Sequence, residues 1–325
     1  MQPPIGAPGA LSPSTTYTQK SRAQSAGRHG AAVHYVYVTN DGSANVSAFA
    51  INASTGALTQ VPGSPFSAGP EPWGIAVDPT GKFAYVTNVT DGGTSGASGS
   101  VSAYAINASN GALTQVKGSP FSSGGIEPWE MAIGPAGNFA YVTNFYSDNV
   151  SAYAIDAKSG ALTQVQGSPF GTGASAAGVA IDPAAKFAYV ANDGGVSAYA
   201  KRSGALMQVQ GSPFAAGSYP WGVTVDPRGK FAYVTNYDSG SVSAYAIDAQ
   251  SGALTQVQGS PFAAGKDPYG VVIDPSGKFA YVANAYWGSS LGNISAYAIQ
   301  RSGALIQVKG SPFAAGGGPV QLAIR

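Results

Sequence analysis

Apolar residues along this chain fall in short runs of five to seven, each closed by Gly, Pro, Asn, Asp or Ser. "PWGIAVDPTGKFAYVTN" (72–88) holds two such runs across one turn, and "SVSAYAI" (100–106) and "ALTQV" (112–116) follow. Runs this short, rich in Val, Ile, Tyr and Phe and bounded by turn residues, predict β-strands. None shows a 3.6-residue period or reaches typical helix length. "DPTGK" (78–82) puts Asp, Pro and Gly at the positions a type I turn prefers, so it joins the first two strands as a tight hairpin. "DPRGK" (226–230) and "DPSGK" (274–278) repeat it.

The strands do not alternate apolar with polar. In "VSAYAI" one face carries Val101, Ala103 and Ala105, the other Ser102, Tyr104 and Ile106, and neither is charged. Both faces therefore need covering, as in a sheet stacked between two others. Small side chains opposite large ones suit four-stranded sheets packed radially, which is a β-propeller.

The whole unit recurs. YVTN or YVAN begins at Tyr37, Tyr85, Tyr141, Tyr189, Tyr233 and Tyr281, so successive copies lie 48, 56, 48, 44 and 48 residues apart. Such spacing marks a repeat architecture. Each of the four strand types appears six times, which predicts six blades. The eight extra residues of the longest interval fall in the loop at 88–100 and add no blade. The first copy starts at its second strand, "HYVYVTN" (34–40), and the chain carries an orphan first strand, "GPVQLAIR" (318–325). The expectation is that this C-terminal strand completes the first blade and closes the ring, protecting its edges.

Composition agrees. Charged residues are 10% of the 325, against about 25% in ordinary soluble domains, while Gly (45), Pro (22) and Tyr (18) are plentiful. A net charge of +1 gives no electrostatic reason to expect nucleic acid. No apolar run is long enough to span a membrane as a helix. The absence of Cys excludes disulfides and thiolate metal sites. Residues 1–32 are rich in Pro, Ser, Ala and Gly with few large aliphatics, so they read as a flexible tail ahead of one propeller domain at 33–325. The "QPPIGAPGA" start resembles the segment just after the lipidated Cys of some bacterial lipoproteins. That resemblance implies an exported protein: periplasmic, extracellular or lipid-anchored.

The unit "FAYVTN…GSVSAYAID…SGALTQV" resembles the YVTN-type repeats of the lactonase-like β-propeller family, over about residues 34–325. That family includes 6-phosphogluconolactonase-type hydrolases and surface-layer proteins, and it usually has seven blades. The resemblance implies the fold; function belongs to the site.

Chemistry on a repeat protein must break the repeat. Histidine is sparse: His29 falls in the tail and His34 beside a hairpin, so neither is carried over as catalytic. The turn aspartates Asp78, Asp182, Asp226 and Asp274 are explained by turn geometry. The departures cluster before each first strand, which reads "GPEPWG", "GIEPWE", "ASAAGV", "SYPWG", "KDPYG" and "GGPVQ". Trp73, Trp129, Trp221 and Tyr269 are expected to ring the channel mouth, with a gap at Ala176 and Ala177. Glu71, Glu127, Glu130 and Asp267 add acid, with Glu130 replacing a Gly. Aromatics with carboxylates suit a carbohydrate, a lactone or a protein partner. Clustered carboxylates also suit a divalent cation. No zinc-binding helix motif or phosphate loop occurs. The reading is therefore a non-catalytic binding or scaffold propeller at the cell surface. The alternative is a lactone hydrolase, which the family resemblance implies. For a phosphorylated sugar these loops offer one cation, Lys266, against four acids.

Overall fold

The computed structural model describes residues 15–17, 34–89, 98–286, 292–315, 319 and 322. Six antiparallel sheets make up an all-β propeller. In the second sheet, Pro72–Val77, Phe83–Asn88, Ser98–Ile106 and Leu113–Gln115 run from the innermost to the outermost strand. The hairpin is as expected: Asp78 Oδ1 accepts the backbone N–H groups of Lys82 and Phe83, both at 2.7 Å.

A short fifth strand was not anticipated. The segment that begins at the Phe of "SPF", Phe121–Ile126 in the second sheet, pairs with the start of the third strand. Four other sheets carry an equivalent strand, and the fourth has a single bridge, Val196 to Phe214. The SPF serine fixes this return. Its Oγ accepts the N–H of the third-strand alanine in all six copies, as in Ser119 to Ala103 at 2.9 Å. The recurrent phrase is therefore an outer strand plus a return stitched to its own sheet.

The first sheet corrects one expectation. Its innermost strand is Thr15–Tyr17, paired antiparallel with His34–Asn40 through Thr15 opposite Thr39. A piece of the presumed tail thus occupies the place assigned to 318–325, consistent with the strand propensity of Thr-Thr-Tyr. Apart from Pro319 and Leu322, that C-terminal segment lies outside the described residues, as do 1–14 and 18–33.

Neighbouring sheets lock together by repeated devices. Tyr85, buried, donates its hydroxyl to the Gly160 carbonyl of the next sheet at 3.0 Å. Tyr37, Tyr141, Tyr189 and Tyr233 do the same to Gly111, Gly204, Gly252 and Gly303. In the other direction Tyr104 donates to Ser67 O at 2.7 Å. Near the axis, Thr39 and Thr87 donate to the carbonyls of Trp73 and Trp129, each at 2.8 Å. Between these bonds lie apolar cores that join sheets one to two, two to three, three to four, four to five and five to six.

Among the described residues, no apolar core of this kind joins the faces of sheet six and sheet one. Leu58 is 54% exposed, whereas its counterpart Leu113 is 6% exposed. Phe279 and Phe313 are 38% and 47% exposed. A Cβ at Gly111 would lie 2.3 Å from the Tyr35 ring, but nothing comes within 4 Å of one at Gly56. One sequence difference matches: Phe49 has no hydroxyl where the other sheets have Tyr.

Candidate functional site at the channel mouth

The innermost strands of sheets two to six are each entered through one residue with positive φ: Glu71 (46°), Glu127 (53°), Ser175 (56°), Tyr219 (55°) and Asp267 (52°). For four of them the conformation turns the carbonyl toward the residue after the YVTN or YVAN asparagine. Val89, Phe145, Tyr237 and Ala285 donate their N–H groups to Glu71, Glu127, Tyr219 and Asp267. These acids therefore stand where the backbone is strained by the repeat itself. The chain next passes a Pro and presents an aromatic ring.

The rings meet. Centroids of Trp73 and Trp129 are 4.9 Å apart, Trp129 and Trp221 4.8 Å, and Trp221 and Tyr269 4.8 Å. The four predicted aromatics form one half-buried arc from sheet two to sheet six. The gap predicted at Ala176 and Ala177 is bridged, because both alanines are buried and Trp129 and Trp221 touch across it.

Further aromatics complete the arc. Phe145 stacks on Trp129 at 4.8 Å, Tyr237 meets Tyr269 edge-on at 5.3 Å, and Tyr219 lies 5.7 Å from Trp221. Tyr146, partly exposed, packs on Phe145 at 5.2 Å. Sequence reasoning missed all four. The signal was present: the residue after the YVTN or YVAN asparagine is Asp41, Val89, Phe145, Asp193, Tyr237 and Ala285 in turn, and two of these are aromatic.

The acids are less uniform than predicted. Glu71 is exposed, Glu127 and Glu130 half-buried and Asp267 buried. Glu130 uses its backbone N–H to bond Thr143 Oγ1 at 3.1 Å. Asp267 Oδ2 lies 4.0 Å from Lys266 Nζ. Burial pushes the Glu127 carboxyl above the usual carboxylate range, the Trp129 indole opposes this, and the Glu71 charge adds to it. The Trp129 Nε1 atom is itself buried and makes no hydrogen bond, so its approach to Glu127 falls short of one. Burial raises Tyr237 to about 12, reinforced by Asp267 and Asp238. Among the described residues, no three of His, Asp and Glu gather closely enough to hold a metal ion.

One departure lies on the third strand of the fourth sheet. Lys201 stands where the other copies have Ile51, Ile106, Ile155, Ile247 and Ile299. Its Nζ lies 4.9 Å from the Tyr141 ring centroid, and burial lowers its pKa to about 8 against the pull of Asp182. A Cβ at Gly134 would come 3.4 Å from that Nζ, so the Gly that replaces a turn Asp there leaves the amine room.

The family model for "Lactonase, 7-bladed beta-propeller" matches residues 6–174 and 167–266. A candidate 6-phosphogluconolactonase from Bacteroides uniformis ATCC 8492 shares the fold at a TM-score of 0.71 and 20% identity, over 84% of this chain and 79% of that one. The periplasmic gluconolactonase PpgL of Pseudomonas aeruginosa gives a TM-score of 0.71 at 19% identity, over 88% and 84%. A protein of unknown function from Desulfotomaculum acetoxidans DSM 771 gives 0.66 at 16% identity, over 88% and 86%. No curated protein matches the sequence. With six sheets among its described residues and the family model matching most of its length, the chain belongs to the lactonase β-propeller family.

Proposed function

We propose that the protein is a lactone hydrolase whose site is the aromatic, acid-rimmed channel mouth. The observation that carries this reading is Glu127: a half-buried carboxylate beside Trp129, shifted toward neutral pH, in a chain of the lactonase family. The family match and the gluconolactonase neighbours support this alternative over the non-catalytic scaffold expected from the sequence. The half-buried rings would offer a face to a sugar-sized lactone. Glu127 would act as general base, taking a proton from water as the water oxygen attacks the lactone carbonyl. The ring C–O bond breaks, its oxygen is protonated, and a hydroxy acid leaves.

We infer an exported location as well, supported by the neighbour named as periplasmic. Cell fractionation of the native host tests it: recovery in the cytoplasm alone overturns it. The hydrolase reading is tested by pH-stat hydrolysis of sugar and aliphatic lactones, with and without divalent metal. Turnover well above the spontaneous rate, lost in Glu127→Gln, is expected. No turnover on any lactone returns the protein to the binding reading.

A further inference from the structure

We propose that the hairpin of sheet three binds a small free carboxylate, held between the turn at Gly134 and the amine of Lys201. Gly134 follows the far end of the strand that carries Trp129, so this site is separate from the channel mouth.

The repeat shows what such a hairpin holds. Asp78 accepts the backbone N–H groups of Thr80, Lys82 and Phe83. Asp226 accepts those of Arg228, Lys230 and Phe231, and Asp274 those of Ser276, Lys278 and Phe279. Asp182 accepts those of Ala184 and Phe187. Asp78, Asp182 and Asp226 are buried. Converging N–H donors are what keep a carboxylate stable there.

Sheet three keeps the hairpin and lacks the acid. Gly137 still donates to the Gly134 carbonyl at 2.8 Å, and Gly134 to the Phe139 carbonyl at 2.9 Å. The backbone N–H groups of Ala136, Asn138 and Phe139 thus surround an empty acceptor position, and among the described residues none of them meets an acceptor. Gly134 is buried, with Lys201 Nζ the nearest non-adjacent atom to where its Cβ would stand, at 3.4 Å.

The two departures are complementary: sheet three loses an anion where sheet four gains a cation. Among the described residues no carboxylate forms an ion pair with Lys201. The flanking acids Asp78 and Asp182 are engaged by their own turns. Sheets four, five and six hold three turn carboxylates in succession, so neighbouring acids do not bar another. A half-buried ammonium facing unmet N–H groups is costly, and one carboxylate answers both. One of its oxygens would take the Asn138 and Phe139 N–H groups and the other that of Ala136, as the two oxygens of Asp78 do. The buried turn limits the guest to a small ion such as formate.

Two readouts test this: thermal melts in sodium formate against sodium chloride of equal ionic strength, and broadening of the formate proton NMR line. At about 100 mM salt the native protein should melt at least about 2 °C higher in formate than in chloride. It should also broaden the formate line. Both effects should vanish in Lys201→Met, which keeps the stem without the charge, and in Gly134→Asp, which supplies the carboxylate covalently. Gly134→Asp should itself melt above the native protein in chloride, and Lys201→Met should reduce that gain. Equal melts in the two salts with no broadening overturn the proposal. So does a formate effect that survives Gly134→Asp, because the ion then binds elsewhere. The NMR readout on native protein and Lys201→Met decides the matter even where Gly134→Asp fails to fold.

Discussion

Trp129 and Trp221 belong to sheets three and five, which are not neighbours, yet their ring centroids lie 4.8 Å apart at an interplanar angle of 72°. They meet because the sheet between them contributes Ala177 where a third indole would stand. Thr143 of the preceding sheet still donates to the Ala177 carbonyl, at 2.6 Å, so the backbone keeps the repeat while the side chain withdraws. With that side chain gone, the rings on either side of the fourth sheet touch directly and the arc runs on without a break.

Enlarging Ala177 should therefore part the two indoles. Ala177→Leu adds volume at a residue 1% exposed, and overpacking of this kind costs about 1–3 kcal/mol. Chemical denaturation should show that loss, together with a changed tryptophan emission spectrum. Unchanged stability and emission would mean the indoles are held apart from Ala177 by something else.

The faces of sheets six and one lead to a contrast between identical substitutions. Leu113→Ala opens a cavity in a packed core and should cost about 2–5 kcal/mol. Leu58→Ala removes a side chain already in solvent and should cost less than about 0.5 kcal/mol. Likewise Tyr233→Phe strands the buried Gly303 carbonyl, at about 1–3 kcal/mol, while Tyr281→Phe should be nearly neutral. Equal losses at Leu58 and Leu113 would show that sheet one packs in solution as the others do.

Much of this was legible in the sequence, and the limits were physical. The repeat announces itself because every sheet solves one packing problem with the same Tyr, Gly, Ser and Asn. Glu71, Trp73, Glu127, Trp129, Glu130, Trp221, Asp267 and Tyr269 stand out as candidates in the sequence because they vary within one short loop of the repeat. Phe145 and Tyr237 escaped notice because they follow a strand end, and only folding brings that position beside the next strand's entry. Thr15–Tyr17 escaped because a three-residue strand carries almost no periodicity. The bridging of Trp129 to Trp221 depends on what Ala177 lacks, and the linear pattern read that as a gap.

Lys201 should weaken the fold at neutral pH. Its pKa in the folded protein, about 8, is below the ordinary lysine value, so the folded state binds this proton less tightly than the unfolded state. The penalty is fully present below pH 8 and is relieved as pH rises from there toward about 10.4. Lys201→Ile, restoring the residue of the other five copies, should stabilise by about 1–2 kcal/mol at pH 7, allowing for solvent screening. The advantage should shrink above pH 8. A variant less stable than the native protein at pH 7 would mean that the amine over Tyr141 contributes net attraction.

Glu127 gives the opposite sign and ties stability to activity. Its folded pKa is raised, first by burial and then by Glu71, so the ionised form is disfavoured in the folded protein. The penalty is present at neutral pH and disappears as pH falls through the raised value into the ordinary carboxylate range. Glu127→Gln should therefore be more stable than the native protein at pH 7 and no more stable at low pH, as read by thermal melts across that range. If Glu127 is the general base, the acidic limb of kcat/KM should fall off at a pH above the ordinary carboxylate value, and Glu71→Gln should move that limb to lower pH without abolishing turnover. A limb that stays fixed in Glu71→Gln would remove Glu127 from the mechanism, whatever its effect on stability.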